Sequence, residues 1–266
     1  GDCEVDPTDA LPTMAPMARR VSSPTFIGRN AELERLTAAL AAAATDGRPA
    51  ALLVAGEAGV GKTRLMSELA GRARTAGFRV LTGGCIELAE GGLPFAPIVE
   101  ALRPLGSELS PDALAALAGP GRAELARLLP ELGELATRAD HDAAGAAQGR
   151  LFELLLLFLR RLAAERAVLL VLEDLHWADR STLDLLGFLV RNLRDAPLVL
   201  VATYRSDELH RRHPLLPVLA ELTRTGRIGR FELARVGPDA LAAQLAGVPG
   251  APAERELVER IYARSE

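Results

Sequence analysis

Short apolar runs alternate with longer segments of helical periodicity along the chain. Runs at residues 50–55, 79–82, 167–172 and 198–203 predict β-strands, and a fifth strand is predicted near residues 228–233. Between them, residues 62–76, 148–164 and 182–193 repeat apolar side chains at helical spacing. The third and fourth runs lack polar alternation, which is typical of parallel strands covered on both faces. The pattern predicts the α/β class, with βαβ units around a parallel sheet.

The first residues have a different composition. Residues 1–24 combine four prolines with small and polar side chains, and we expect a disordered tail there. Order should begin near Phe26, and Asn30 is placed to cap the first helix. The apolar face of that helix would carry Leu33, Leu36 and Leu40.

Two further segments read as helical. The Ala/Leu-rich stretch at 91–142 is broken by prolines, which predicts several short helices inserted between the second and third strands. We expect a flexible loop around residues 139–142. Helical spacing returns after residue 237 and continues to the last residue, as expected for a chain that stops inside a larger protein.

A phosphate-binding pattern follows the first predicted strand. Its eight residues are Gly56, Glu57, Ala58, Gly59, Val60, Gly61, Lys62 and Thr63, which match G-x-x-x-x-G-K-[ST] at every position. In such a loop the backbone N–H groups and the start of the next helix face an anion. Lys62, the one Lys in the chain, would reach the β- and γ-phosphates, and the Thr63 hydroxyl would bind Mg²⁺.

An acidic pair ends the third predicted strand. Glu173 and Asp174 follow five apolar residues. An acid in the first position holds the Mg²⁺ shell beside a phosphate loop, and a second acid can deprotonate the attacking water. We therefore assign Glu173 to the metal and Asp174 to the water. Most ATPases of this kind have Asp before Glu, and from the exchanged order we expect slow hydrolysis.

Polar residues also end the fourth predicted strand and follow the acidic pair. Thr203 could bond to the γ-phosphate, and Arg205 could neutralise its charge. After the acidic pair, His176 and Trp177 fit structural roles better than chemical ones. Asp179 or Ser181 is expected to cap the next helix. A further helix is expected to start at residues 206–208.

Composition and charge narrow the possible partners. The formal net charge is −4 and basic residues are not clustered, so this segment is not expected to bind DNA. No apolar stretch has the length of a membrane span. The two cysteines, Cys3 and Cys85, suit a reducing compartment and make no disulfide framework. We expect a cytoplasmic protein with no membrane contact.

These motifs form an ordered set that resembles a known group. Residues 26–29, the phosphate loop, the run LEDLHWAD and the downstream VATYR are similar to the ATPase domain of the large ATP-binding LuxR-type transcriptional regulators of actinobacteria. Those regulators belong to the signal-transducing ATPases of the AAA+/STAND group. The resemblance covers residues 25 to 266, and LEDLHWAD is its most specific part.

The resemblance implies more than the motifs do. It implies a P-loop three-layer sandwich with a five-stranded parallel sheet of order 5-1-4-3-2. It places Ile27, Gly28 and Arg29 near the adenine of ATP or ADP. The ATPase core would span 25–235, with a helical insertion at about 91–147, and 236–266 would begin a truncated helical lid. A DNA-binding helix-turn-helix would lie outside this chain, and ATP-dependent self-association would belong to the full-length protein.

Other functions stay open at this point. A P-loop small-molecule kinase or other phosphotransferase would share the loop, and the helical insertion could form its lid. An ATPase module attached to a nucleotide cyclase or protein kinase, or a module that holds nucleotide almost without turnover, would also fit. The favoured interpretation is a Mg-ATP-dependent switch with slow hydrolysis that controls a transcriptional regulator.

Overall fold

A five-stranded parallel sheet forms the centre of the molecule. The computed structural model describes residues 26–87, 93–132 and 144–246. The sheet order is β2-β3-β4-β1-β5, which is the expected order listed from the other edge. The strands are β1 (Ala50–Gly56), β2 (Arg79–Gly84), β3 (Val168–Glu173), β4 (Leu198–Arg205) and β5 (Gly229–Glu232). All neighbouring strands are parallel, so the predicted fold class is confirmed.

The two central apolar strands are buried because both of their faces are covered. Every residue of β3 before Glu173 and every residue of β4 before Arg205 is buried. Successive side chains of a strand point to opposite faces, so a strand without polar alternation needs a layer on each side. The register pairs Gly56 of β1 with Arg205 of β4. The carboxyl ends of these strands therefore meet at one edge of the sheet.

The helices between residues 29 and 236 cover the sheet and connect its strands. Helices α1 and α2 pack on each other and against β1, while α7, α8 and α9 pack in series. The helices are α1 (Asn30–Asp46), α2 (Lys62–Thr75), α3 (Ala96–Leu102), α4 (Leu105–Glu108), α5 (Pro111–Ala118), α6 (Arg122–Leu125), α7 (Ala144–Glu165), α8 (Arg180–Asn192), α9 (Leu215–Arg224) and α10 (Pro238–Ala246). Short 3₁₀ turns occur at Gly119–Gly121, Pro130–Leu132 and Leu175–Trp177.

The insertion between β2 and β3 contains the predicted short helices. Helices α3 to α6 lie in residues 93–132, and the expected loop at 139–142 lies outside the described residues. Helix α3 packs directly on β2. At Gly83 a Cβ atom would lie 1.8 Å from the carbonyl oxygen of Pro97. Only glycine allows the helix and the strand to come this close.

Three local predictions need correction. Helix α1 begins at Asn30, but its N-cap is Arg29, so Asn30 does not cap it. The fourth strand extends through Arg205 instead of ending at residue 203. Residues 206–208 form a bend and turn, and the next helix starts only at Leu215, preceded by Pro214. The side chains of Asp207 and Glu208 bond elsewhere, as described below, instead of capping a helix.

The chain divides into two compact units. Arg29–Val236 forms one unit, and the described residues before Arg29 and after Val236 belong to the other. In the second unit the structure describes residues 26–28 and α10, where the Leu241 N–H donates to the Gly237 carbonyl at 3.0 Å. The expected tail at 1–24 and the last residues of the expected lid, 247–266, lie outside the described ranges. The predicted domain boundaries stay predictions.

Candidate functional site

The phosphate loop connects β1 to α2 as the motif requires. β1 ends at Gly56 and α2 begins at Lys62. Gly61, the N-cap of α2, has φ of 100°. This left-handed conformation is strained for any residue with a Cβ. The loop therefore delivers the free N–H groups of a helix start, which favour an anion, to the end of a buried strand.

Lys62 is buried and turned toward its own loop. The residue is 7% exposed, and its ammonium donates to the carbonyl oxygens of Gly56 at 2.7 Å and Glu57 at 2.8 Å. Burial lowers the pKa of Lys62, and the charge of Asp174 opposes that shift. An ammonium has three N–H donors, so one remains for another acceptor.

Thr63 and Glu173 meet across the sheet edge. The Thr63 hydroxyl donates to Oε2 of Glu173 at 3.1 Å. Burial raises the pKa of Glu173, and the Thr63 hydrogen bond opposes the rise. A hydroxyl beside a carboxylate is an oxygen donor pair that suits Mg²⁺, which commonly takes one or two protein ligands and fills its shell with phosphate and water. The two predicted metal ligands are thus adjacent.

Asp174 is held by its backbone. It has φ of 60° and ψ of 45°, a left-handed conformation that is uncommon outside glycine. Its N–H donates to the Thr203 hydroxyl at 3.1 Å. Thr203 is itself buried, and its hydroxyl is already bonded to the backbone of Asp174. This contact holds the backbone from which the Asp174 side chain extends.

Arg205 lies beside the phosphate loop but already has partners. Its side chain is 29% exposed, and Nη1 forms an ion pair with Oε1 of Glu208. The guanidinium carbon lies 4.9 Å from the centre of the Trp177 ring, in a cation–π contact. Because Arg205 is opposite Gly56 in the sheet register, the charge lies at the same edge as the loop.

Arg29 braces the phosphate loop through its backbone. Its guanidinium donates to the Val60 carbonyl at 3.1 Å and to the Ala234 carbonyl, and it pairs with Glu32 at 3.0 Å. These contacts bind Arg29 to the loop and to the segment after β5. Ile27 and Gly28 belong to the other compact unit, so their assignment near adenine stays a prediction.

Three side chains that the sequence analysis missed also contact the loop or its neighbours. Oδ2 of Asp207 accepts from the Ala58 N–H at 3.4 Å. Arg235 binds Oε2 of Glu57 through Nε at 2.7 Å and Nη2 at 2.6 Å. Glu208 pairs with Arg205. Only the Arg205–Glu208 pair has a local signal, because its two residues are three apart.

The sequence predicts a structural role for His176, and in the structure both nitrogens of its ring lie close to specific polar groups. Its side chain is 0% exposed. Nδ1 accepts from the Arg205 N–H at 3.4 Å and lies 4.0 Å from Oδ1 of Asp174. Nε2 lies 3.3 Å from Oε2 of Glu208. Burial lowers the pKa of His176, while the charges of Glu208 and Asp174 oppose the shift.

The helix after the acidic pair is capped as expected. Asp179 is the N-cap of α8, and its Oδ1 accepts from the N–H groups of Ser181 and Thr182. The Thr182 hydroxyl also donates to Asp179 and accepts from the Phe95 N–H at 3.0 Å. The start of α8 is thereby joined to the start of the insertion helices.

Residues 25–201 match the family model of the AAA ATPase domain. The chain belongs to this family. Membership implies that this AAA domain binds nucleotide, usually with Mg²⁺, and the oxygen pair of Thr63 and Glu173 fits such an ion. No curated protein sequence matches this chain.

Solved structures of similar arrangement come from several organisms. The Orc1 protein of Aeropyrum pernix, in complex with DNA, is 20% identical with a TM-score of 0.42, over 84% of this chain and 49% of its own. The ORC2 protein of the same organism, with ADPNP and ADP, is 14% identical with a TM-score of 0.48, over 86% and 53%. A STAND protein with a tetratricopeptide repeat sensor from Pyrococcus horikoshii is 15% identical with a TM-score of 0.43, over 94% and 30%.

The AAA domain spans only part of these proteins. It covers about half the length of the two Aeropyrum chains and 30% of the Pyrococcus chain. Within the described parts of the AAA domain, no helix has the length and apolar character needed to cross a membrane.

Proposed function

We propose that this AAA ATPase domain binds adenine nucleotide with Mg²⁺ and acts as a nucleotide-dependent switch that hydrolyses ATP slowly. The observation that carries the proposal is the hydrogen bond between Thr63 and Glu173, 110 residues apart, made by the residue that follows the buried Lys62 in the chain. One cation and two oxygen donors therefore converge at a helix N-terminus. This combination fits a nucleotide polyphosphate better than a simple anion.

Each group would have a separate task. On binding, Lys62 would exchange its contacts with the Gly56 and Glu57 carbonyls for phosphate oxygens. Thr63 and Glu173 would hold Mg²⁺, which neutralises phosphate charge. Asp174 would accept the proton of the water that attacks the γ-phosphorus, giving ADP and phosphate.

The exchanged order of the two acids supports slow turnover. The side chain of Asp174 is one carbon shorter than that of a Glu, so it reaches less far toward a water. Its backbone has a left-handed conformation, and its N–H donates to the Thr203 hydroxyl, which holds the backbone in place. A domain that hydrolyses ATP slowly keeps the nucleotide bound for longer, which suits a switch better than a motor.

We further propose that the switch controls a transcriptional regulator of the LuxR type, of the actinobacterial kind, in the cytoplasm. The runs LEDLHWAD and VATYR support this by resemblance. The DNA-binding part would lie outside this chain, and self-association on ATP binding would belong to the full-length protein. The net charge of −4 agrees with a segment that does not itself hold DNA.

Titration calorimetry with ATP and Mg²⁺ tests the binding site. Lys62→Ala should weaken ATP binding about 10- to 100-fold, because a charge-assisted contact to phosphate contributes roughly 1.5–3 kcal/mol. The matched control is Arg72→Ala, which removes one positive charge from a half-exposed position on the same helix. Equal ATP affinity for the wild type and Lys62→Ala would show that the phosphate loop is not the site.

Phosphate release in the absence of any acceptor separates this function from a phosphotransferase. We expect slow, steady formation of ADP and phosphate from ATP and water alone. Turnover that begins only when a small-molecule acceptor is added would instead support a kinase.

A further inference from the structure

The partner of Arg205 is a carboxylate that competes with phosphate. Arg205 and Glu208 form an ion pair across a single turn of chain, with side chains 29% and 36% exposed. A guanidinium held by a carboxylate has fewer donors left for a γ-phosphate at the same edge. The strength of the Arg205–Glu208 pair therefore sets how readily Arg205 can contact a nucleotide.

His176 lies behind this pair. Its ring accepts from the main-chain N–H of Arg205 at 3.4 Å through Nδ1, so a neutral ring carries its proton on Nε2. Nε2 is buried, lacks an aligned hydrogen bond, and lies 3.3 Å from Oε2 of Glu208. The His176 ring thus contacts both the backbone of Arg205 and the Glu208 carboxylate that pairs with the Arg205 guanidinium.

A second histidine fixes the position of His176. Nδ1 of His213 accepts from the Leu215 N–H at 3.1 Å, and its Nε2 lies 3.0 Å from the carbonyl oxygen of His176. On its other side, the His176 ring lies 4.5 Å from the Trp177 ring. The backbone and the ring of His176 are therefore both held, and Nε2 of the ring lies close to the Glu208 carboxylate.

We propose that His176 is a positioning residue of the nucleotide site: it holds Glu208 against Arg205 and so restrains the contact of Arg205 with the γ-phosphate. The inference rests on the proposed function, because it needs nucleotide at the phosphate loop. It adds two residues that the motifs do not assign, and it gives the difference between ATP and ADP a physical basis. Only ATP carries the group that can displace Glu208 from Arg205.

The ratio of the ADP and ATP dissociation constants tests the inference. Equilibrium dialysis with Mg²⁺ would use ADP and a non-hydrolysable ATP analogue, so slow turnover does not interfere. Glu208→Gln frees Arg205 and should raise the preference for the ATP analogue about two- to fivefold, the range expected for one partly exposed ion pair. Glu221→Gln removes a carboxylate from the exposed Arg191–Glu221 pair and should leave the ratio unchanged.

The geometry of the imidazole allows a sharper comparison at His176. The amide of Asn reaches the position of Nδ1 but not that of Nε2, whereas the amide of Gln can place a donor near Nε2. His176→Asn should therefore raise the ratio as Glu208→Gln does, and His176→Gln should recover most of the wild-type value. Equal ratios for the Asn and Gln variants would overturn the role of the Nε2 contact.

A double variant separates this restraint from a general charge effect. In an Arg205→Ala background, Glu208→Gln should no longer change the ratio, because the group that Glu208 restrains is gone. A full increase in that background, or no increase in Glu208→Gln alone, would overturn the inference while ATP binding still supports the proposed function. Failure of the wild type to bind nucleotide would overturn both.

Circular dichroism would check that each variant folds. Glu208 lies at the surface, so Glu208→Gln keeps the test valid even if a buried His176 variant does not fold.

Discussion

At the scale of single residues, the site depends on burying charges that water would otherwise solvate. The pKa of Lys62 is lowered and the pKa of Glu173 is raised, so both shifts favour the neutral side chain, and burial is the main cause in each case. Such shifts reduce stability at neutral pH because the charged form is disfavoured in the fold. Nucleotide and metal would supply the missing opposite charges, so binding should stabilise the domain.

The two acids should separate by role. Glu173→Gln should weaken the Mg²⁺ dependence of ATP binding, because it removes one of the two oxygen donors that meet at Thr63. Asp174→Asn should leave ATP bound and slow turnover by at least about 100-fold, as expected when a general base is lost. Binding and phosphate release would be measured with and without Mg²⁺, using Glu68→Gln on α2 as the control. The reverse pattern would exchange the two roles.

Glu173 should also affect stability in a pH-dependent way. Its folded pKa lies above its unfolded pKa, so its contribution is favourable below the ordinary carboxyl range and is lost as pH rises through the folded value. Glu173→Gln should therefore unfold at higher urea than the wild type at pH 7. The gain should shrink toward pH 4, where Glu173 itself is protonated. A gain that stays constant with pH would mean that burial of the charge is not its cause.

Sequence reasoning reached some of these residues and not others. The meeting of Thr63 with Glu173 was predictable, because one residue follows the first apolar strand within a motif of fixed spacing and the other ends a second apolar strand of the same parallel sheet. Asp207 and Arg235 were not, because their partners Ala58 and Glu57 lie 149 and 178 residues away along the chain. Contacts of that separation depend on tertiary packing, which no local pattern encodes.

At the scale of elements, the strands were easier to predict than their ends. Unbroken apolar runs identify β3 and β4, since only strands covered on both faces read that way. The end of β4 was misjudged because Tyr204 is polar in sequence yet fully buried in the sheet. The turn at 206–208 was misread as a helix start because its acids resemble caps, although they bind Ala58 and Arg205 instead.

The contact between β2 and α3 gives a prediction at this scale. Gly83→Ala would place a methyl group 1.8 Å from the Pro97 carbonyl oxygen, so α3 would have to move. The free energy of unfolding should fall by about 1–3 kcal/mol, as for other overpacked sites. Gly71→Ala is the matched control, since its Cβ would meet no atom within 4 Å in helix α2. That control should raise stability by about 0.5–1 kcal/mol.

Urea denaturation followed by circular dichroism would measure both changes. Equal stability for Gly83→Ala and the wild type would mean that α3 does not approach β2 as closely as described.

At the scale of the whole molecule, charge is spread rather than concentrated. Among the described residues, many arginines pair with acids, including Arg72 with Glu68, Arg180 with Asp184, Arg191 with Glu221 and Arg235 with Glu57. Together with the net charge of −4, this pairing lowers the positive potential that phosphate backbones require. We therefore expect this segment to bind a small-molecule ligand rather than a nucleic acid.

A gel-shift assay checks this expectation. Residues 1–266 should not retard duplex DNA at 50 mM salt, with or without ATP, because counterion release needs several clustered cations. Retardation that disappears at 200 mM salt would contradict the assignment of DNA binding to another part of the protein.

The sheet order has a consequence for biosynthesis. β1 carries the phosphate loop, yet both of its neighbours, β4 and β5, come more than 140 residues later in the chain. During synthesis on the ribosome the loop is made early, when β1 has no neighbouring strand at either edge. Because β4 lies between β1 and β3, Thr63 and Glu173 cannot meet until β4 has been made and has paired with both strands. A nucleotide bound with Mg²⁺ at this pair would therefore stabilise only the product of a late, long-range closure.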